Sequence, residues 1–192
     1  MAQRVVLAYS GGLDTSIAVR WLRENWDCEV VCCAVDVGQI TEGEHEAIHA
    51  RANAAGAVAV EIIDARDEFA DRFLSKALQA NSLYEGKYPL VSALSRPVIV
   101  EHLVDSARRH GADAVGHGCT GKGNDQVRFE VSTRILNPDL DVLAPTRVWG
   151  LTRADCVQLA ADWDIPIEAT AEKIYSIDEN MWGRAIECGV LE

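Results

Sequence analysis

The run Val5-Val6-Leu7-Ala8-Tyr9-Ser10-Gly11-Gly12-Leu13-Asp14-Thr15-Ser16 passes from an apolar segment through two glycines into a string that starts a helix. Val5 to Tyr9 reads as a strand buried on both faces. Thr15 to Glu24 reads as a helix, with Ile17, Val19, Trp21 and Leu22 available for packing. The glycines let the backbone turn sharply and approach a ligand closely. A helix start offers unpaired N–H groups and partial positive charge, and Ser10, Thr15 and Ser16 add hydroxyls. Together these make an anion site at the carboxyl end of a strand, where open α/β sheets bind ligands. A plain turn capped by Asp14 or Thr15 is the simpler reading of two glycines; the whole string favours phosphate. No Lys follows the glycines, so this is not a Walker A loop. The phosphate charge must be met by Mg²⁺ and by basic side chains from elsewhere.

Along the rest of the chain, apolar runs alternate with amphipathic ones. Strands are expected at Glu29–Asp36, Val58–Ile63, Ala112–Val115 and Val142–Ala144. Helices are expected at Glu44–Ala55 (ended by Gly56), about Asp67–Ala80, Arg96–His110 with Pro97 in its first turn, and from a Thr152 cap to about Trp163. Strands separated by helices imply βαβ units and a parallel sheet flanked by helices. The pattern weakens near Ile165-Pro166, which suggests a boundary there. Ser176 to Glu192 is polar, with little core of its own.

The composition excludes several function classes. Acidic residues number 30 against 18 Lys and Arg, a net charge of -12, which argues against a general nucleic-acid surface. No apolar run reaches membrane-spanning length, and the N-terminus has no secretory leader. Cys28, Cys32, Cys33, Cys119, Cys156 and Cys188 have the spacing of neither a zinc site nor a disulfide framework. They read as reduced thiols in a cytoplasmic protein.

A second glycine loop, Gly116 to Gly123, follows the fourth strand and enters a polar run with Asn124, Asp125 and Arg128. It contains a formal G-x-G-x-x-G and a near Walker A, but Gly123 stands where a Mg²⁺-binding hydroxyl belongs. A flexible loop at the same sheet edge is the better reading. Asn124 and Arg128 share a helix face and suit a substrate carboxylate, although a surface ion pair would also account for Arg128. His45-Glu46-Ala47-Ile48-His49 is a literal H-E-x-x-H. Without a convincing third ligand it reads as a solvated helix face, and no protein metal site is expected.

With both loops in hand, the chain resembles argininosuccinate synthase, a family of the N-type ATP pyrophosphatase superfamily. The resemblance rests on AYSGGLDTS (Ala8 to Ser16), VGQ (Val37 to Gln39), LYEGKYPL (Leu83 to Leu90) and SRP (Ser95 to Pro97). It continues through HGCTGKGNDQVRFE (His117 to Glu130), LAP (Leu143 to Pro145) and SIDENMWGRAIECGVLE (Ser176 to Glu192). These stretches span essentially the whole chain.

The resemblance implies a doubly wound, Rossmann-like fold of the adenine-nucleotide α-hydrolase type. It implies that ATP, citrulline and aspartate give argininosuccinate, AMP and pyrophosphate through a citrullyl-adenylate, with ATP and Mg²⁺ bound. Carried over by position, Ala8, Tyr9, Ser10, Gly11, Gly12, Leu13, Asp14, Thr15 and Ser16 would hold ATP, with Val35 and Gly118 as further nucleotide contacts. Thr120, Asn124 and Asp125 would hold aspartate; Tyr88, Asn124, Arg128 and Ser176 would hold citrulline. Asp14, Ser10 and Arg128 are the candidate catalytic residues. Ala93 and Ala185 stand where members often carry serines, and Ile174 where a proline is usual. Residues 1–165 would form the ATP-binding domain and 166–192 the start of a truncated synthetase domain. The partners would be small-molecule substrates, with no nucleic acid and no membrane, and the full-length protein would be a homotetramer.

Overall fold

The computed structural model describes residues 2–121, 123–167 and 176–187. A five-stranded parallel sheet runs in the order β3-β2-β1-β4-β5. Its strands are β1 (Arg4–Ala8), β2 (Glu29–Asp36), β3 (Ala59–Asp64), β4 (Ala114–Gly116) and β5 (Asp141–Leu143). Every pairing within it is parallel, with Val6 beside Val31 on one side and Val115 on the other.

The inner strands β1, β2 and β4 bury both faces, the edge strands β3 and β5 are partly exposed, and period-two alternation sorts the side chains. Val5, Leu7, Val30, Cys32 and Ala34 join one cluster, with Ile17 and Leu22 of α1 (Leu13–Trp26), Ile48 and Ala52 of α2 (Glu44–Ala55), and Cys156 and Ala160 of α7 (Arg153–Asp162). Val6, Val31, Cys33 and Val35 join the other, with Phe69 of α3 (Arg66–Phe69), Val98 and Leu103 of α5 (Val91–His110), and Phe129 of α6 (Asp125–Leu136). The sheet is therefore doubly wound. The chain steps from β1 outward through β2 to β3, then returns to place β4 on the free side of β1. That reversal makes a switch point between β1 and β4, and both glycine loops leave from it.

Helix ends follow the local chemistry. Gly56 closes α2 in the left-handed region at φ 94°, and Gly111 closes α5 at φ 59°. Thr152 caps α7 in a reciprocal capping box with Asp155. Two expectations need correction. The helix expected from Arg96 starts at Val91, so Pro97 lies inside it rather than in its first turn. Pro97 forfeits the N–H that would meet the Ala93 carbonyl. The start is tied down from outside: Asn180 Nδ2 donates to the Val91 carbonyl at 2.9 Å and Trp182 Nε1 to the Pro89 carbonyl at 2.7 Å. The helix expected at Asp67–Ala80 is interrupted by a π-helical turn, Ala70–Leu74, before α4 (Ser75–Gln79).

Asn180 and Trp182 belong to an antiparallel hairpin, β6 (Ser176–Asn180) and β7 (Gly183–Glu187), which forms its own small sheet. Its turn sits on the loop after β2, where Met181 N donates to the Val37 carbonyl at 2.9 Å. Gly38, at φ 101°, permits this approach; a Cβ there would lie 2.7 Å from Met181 Cβ. Among the described residues, no helix is long and apolar enough to cross a membrane.

Candidate functional site

The first glycine loop meets α1 at the switch point. Gly12 is the N-cap, and no side chain caps the helix, so neither Asp14 nor Thr15 does. The first helical N–H groups have no intrahelical acceptor and stay available for an anion. Gly11 holds φ 72°, and a Cβ there would come within 3.1 Å of Ile48 Cγ1. Ser10 Oγ lies 3.1 Å from Thr15 Oγ1 and accepts from Gly12 N at 3.3 Å. Beneath the loop, the Tyr9 hydroxyl and Ser16 Oγ are 2.8 Å apart and buried, and burial raises the Tyr9 phenol well above its ordinary value. Tyr9 and Ser16 thus form the floor, while Ser10, Gly12 and Asp14 are exposed at the mouth. Although Asp14 reaches solvent, the surrounding protein removes enough water to raise its pKa above the usual carboxylate value, an effect opposed by Arg153.

The second loop lies against the first: a Cβ on Gly118 would sit 3.2 Å from Thr15 Cγ2. Side-chain hydrogen bonds hold it. Cys119 N donates to His117 Nδ1 at 3.2 Å, and Thr146 Oγ1 donates to the Cys119 carbonyl at 2.9 Å. The His117 ring is buried and stacks on Phe129, with centroids 5.3 Å apart. Burial holds its pKa down to about 4, so the ring is neutral at physiological pH. With Nδ1 accepting, Nε2 carries the proton; it has no hydrogen-bond partner and faces Glu130 Oε1 at 3.9 Å.

Beyond this loop lies a charge network. Arg96 Nε donates to Asp125 Oδ2 at 2.8 Å, and Arg96 Nη2 to Asp178 Oδ2 at 2.7 Å. Arg128 Nη1 donates to Asp125 Oδ1 at 2.5 Å. Ser92 Oγ donates to Asp178 at 2.9 Å, and Ser92 N donates to the Tyr88 hydroxyl at 3.3 Å. Burial works against the Arg96 charge, and the two carboxylates outweigh it. Burial pushes the neighbouring Cys119 thiol up to about 12, so it is not a thiolate nucleophile at neutral pH.

Of the residues expected to hold nucleotide, Ala8 to Ser16 and Gly118 meet at the switch point. Val35 is buried, and its carbonyl accepts from Gln39 Nε2 at 2.8 Å. Tyr88, Asp125 and Arg128 join the network, whereas Thr120 and Asn124 are exposed at the second loop. The Ser176 side chain, Lys122, Ile174 and Cys188 lie outside the described residues. Arg128 is ion-paired with Asp125, so the two groups expected to hold substrate charges hold each other. Sequence reasoning missed Arg96, Asp178 and Ser92. The signal lay in Ser95-Arg96-Pro97 and Ser176-Ile177-Asp178, but nothing local shows that these stretches meet. His45, Glu46 and His49 are all exposed on α2. Among the described residues no group of three metal-ligating side chains forms.

Two comparisons bear on this arrangement. The sequence model of a family described as the arginosuccinate synthase N-terminal HUP domain matches residues 4–166. Among solved structures, NMN synthetase from Francisella tularensis is similar at a TM-score of 0.53 and 14% identity. The match covers 86% of this chain and 63% of that one. At that identity the likeness shows the fold alone.

Proposed function

Because the chain belongs to the arginosuccinate synthase family, through its N-terminal HUP domain, we propose that it forms the nucleotide-binding part of an ATP-dependent ligase. In this reading it joins citrulline to aspartate in arginine biosynthesis. The observation that carries the proposal is the contact of the two glycine loops: Gly118 packs against Thr15, with the Arg96–Asp125–Arg128 network beside it. A phosphate cradle and a set of paired charges suited to amino-acid zwitterions then adjoin.

The N–H groups at the start of α1, with Ser10 and Thr15, would bind the phosphates that leave as pyrophosphate. The α-phosphate would face the second loop. Attack there by the citrulline ureido oxygen forms the citrullyl-adenylate, and the aspartate amine then displaces AMP. Such chemistry needs in-line placement and charge neutralisation more than a protein nucleophile. Mg²⁺ would neutralise phosphate charge, and the Asp14 carboxylate at the loop mouth is an oxygen ligand of the kind it takes. Asp125 would release Arg128 as substrate binds, freeing one positive and one negative partner for the amino acids.

The test is pyrophosphate release from MgATP by the purified chain, with citrulline alone and then with aspartate. Citrulline-dependent pyrophosphate is expected; citrulline-dependent orthophosphate would overturn the reading. A second reading, a non-catalytic ATP-binding fragment, is favoured by the mutual pairing of Asp125 and Arg128. It predicts ATP binding by calorimetry with no pyrophosphate under any combination of substrates.

A further inference from the structure

The phosphate cradle lacks charge of its own. A helix N-terminus offers roughly half an elementary charge, far less than a triphosphate carries, and the loop has no Lys. A cation from another element stands beside it. Arg51, on α2, comes closest where the loop is tightest: a Cβ on Gly11 would lie 3.8 Å from Arg51 Nη2 and 3.9 Å from Arg51 Cζ.

This placement follows from how α2 packs. Ile48 and Arg51 are three residues apart and share a helix face. Ile48 is buried with its Cγ1 against Gly11, so it anchors that face on the loop. Arg51 Nε donates to the Ala47 carbonyl at 3.0 Å, which fixes the stem and leaves the terminal nitrogens with donors to spare. Among the described residues, no carboxylate lies within ion-pair distance of Arg51. Glu44, the acid on α2 that feels its charge, is instead bonded by the Thr41 N–H and hydroxyl at 2.8 and 2.7 Å. A half-buried guanidinium without a counter-ion, held against an anion-binding turn, suits a phosphate partner.

We propose that Arg51 is a phosphate-binding residue of this site, contacting the leaving pyrophosphate and making the site prefer di- and triphosphate chains over a monophosphate. The assignment rests on the nucleotide reading above. Gly11 meets α2, whereas Thr15 meets the second loop, so Arg51 and the acceptor substrates approach the phosphates from different sides. Arg51 therefore belongs with the leaving group.

The experiment is calorimetric titration of wild type, Arg51→Gln and Arg51→Lys with MgATP, inorganic pyrophosphate and AMP, alongside thermal melts. Arg51→Gln should weaken MgATP and pyrophosphate binding by about tenfold or more, leave AMP within about twofold, and keep its melting temperature. Arg51→Lys should recover much of the loss, because it restores the charge but not the planar fork. Wild-type affinity for pyrophosphate in Arg51→Gln, or a parallel loss of AMP, would overturn the assignment. A wild-type chain that binds neither MgATP nor pyrophosphate would instead sink the nucleotide reading, before any substitution is made.

Discussion

The two halves of the site are built differently. The phosphate cradle is one continuous segment, Ser10 to Ser16, whose working groups are mostly backbone N–H positioned by a strand-to-helix turn. The charged core of the network draws on three separated elements, α5, α6 and β6, and its ion pairs run from side chain to side chain. A backbone site is fixed once the turn folds. A side-chain network depends on every partner being present, because one removed charge strands the others. Substitutions in the network should therefore cost more stability than substitutions in the cradle.

The largest effect is expected at Arg96. Its side chain is 16% exposed and bridges Asp125 to Asp178. Arg96→Met leaves two carboxylates without that partner and should cost about 3 kcal/mol, in the range for a broken buried pair. Chemical denaturation measures this, and MgATP binding by the folded fraction should survive. A loss under about 1 kcal/mol would mean that the network is screened by water and that the contrast between the halves is weak.

The second effect is a pH dependence, and it comes from the loop that joins the halves. His117 is held down to about 4 by burial, against about 6.5 in an unfolded chain. Between these values the unfolded state binds more protons than the folded state. The His117 contribution is thus complete above pH 6.5 and falls as pH drops toward 4. Glu61 titrates lower still: burial opposes its ionisation, but bonds from Arg109, Ser106 and His110 prevail and hold it at about 2. Its contribution is lost between pH 4.5 and 2, so the two windows overlap only between pH 4.5 and 4. Urea midpoints across pH 7 to 4 should fall in wild type and stay flatter in His117→Gln. Equal slopes would remove His117 as the acid-sensitive group.

A smaller effect is expected within the cradle. Gly11→Ala places a Cβ at φ 72° and 3.1 Å from Ile48 Cγ1. Left-handed backbone alone costs about 1–2 kcal/mol outside glycine. Gly118→Ala meets Thr15 Cγ2 at 3.2 Å without a positive φ and should cost less. Paired melts of the two variants order them, and the reverse order would show that contact between the loops outweighs turn strain.

The same contrast explains what the sequence made legible. The cradle could be read because strand, glycines and helix start are contiguous, and the parallel sheet because its strands are apolar on both faces. The network could not be. Arg96 to Asp125 spans 29 residues and Arg96 to Asp178 spans 82, and no local pattern marks which Arg meets which Asp. The start of α5 is hidden from the sequence for a related reason. Pro97 reads as a first-turn residue, while the bonds from Asn180 and Trp182 that support the earlier start come from the hairpin. Spacing puts Asn124 and Arg128 on one helix face, but it does not reveal that Arg128 bonds Asp125.

The smallest stability effect, and the clearest separation of folding from function, is expected at Asp14. Its pKa is raised by loss of water around it, with Arg153 opposing. A raised carboxylate pKa means that the folded state holds the proton more tightly than the unfolded one. Ionised Asp14 therefore costs stability once pH rises above the unfolded value near 3.9. Asp14→Asn removes that cost and no cap, since Gly12 closes the helix without a side chain. Its stability at pH 7 should match wild type within about 0.5 kcal/mol or exceed it, while MgATP binding and pyrophosphate release fall. A residue kept in a position that costs the fold something, and whose loss costs only the ligand, is there for the ligand. If Asp14→Asn instead melts early and binds MgATP normally, Asp14 is a structural residue, and the cradle works through its backbone and hydroxyls without a carboxylate.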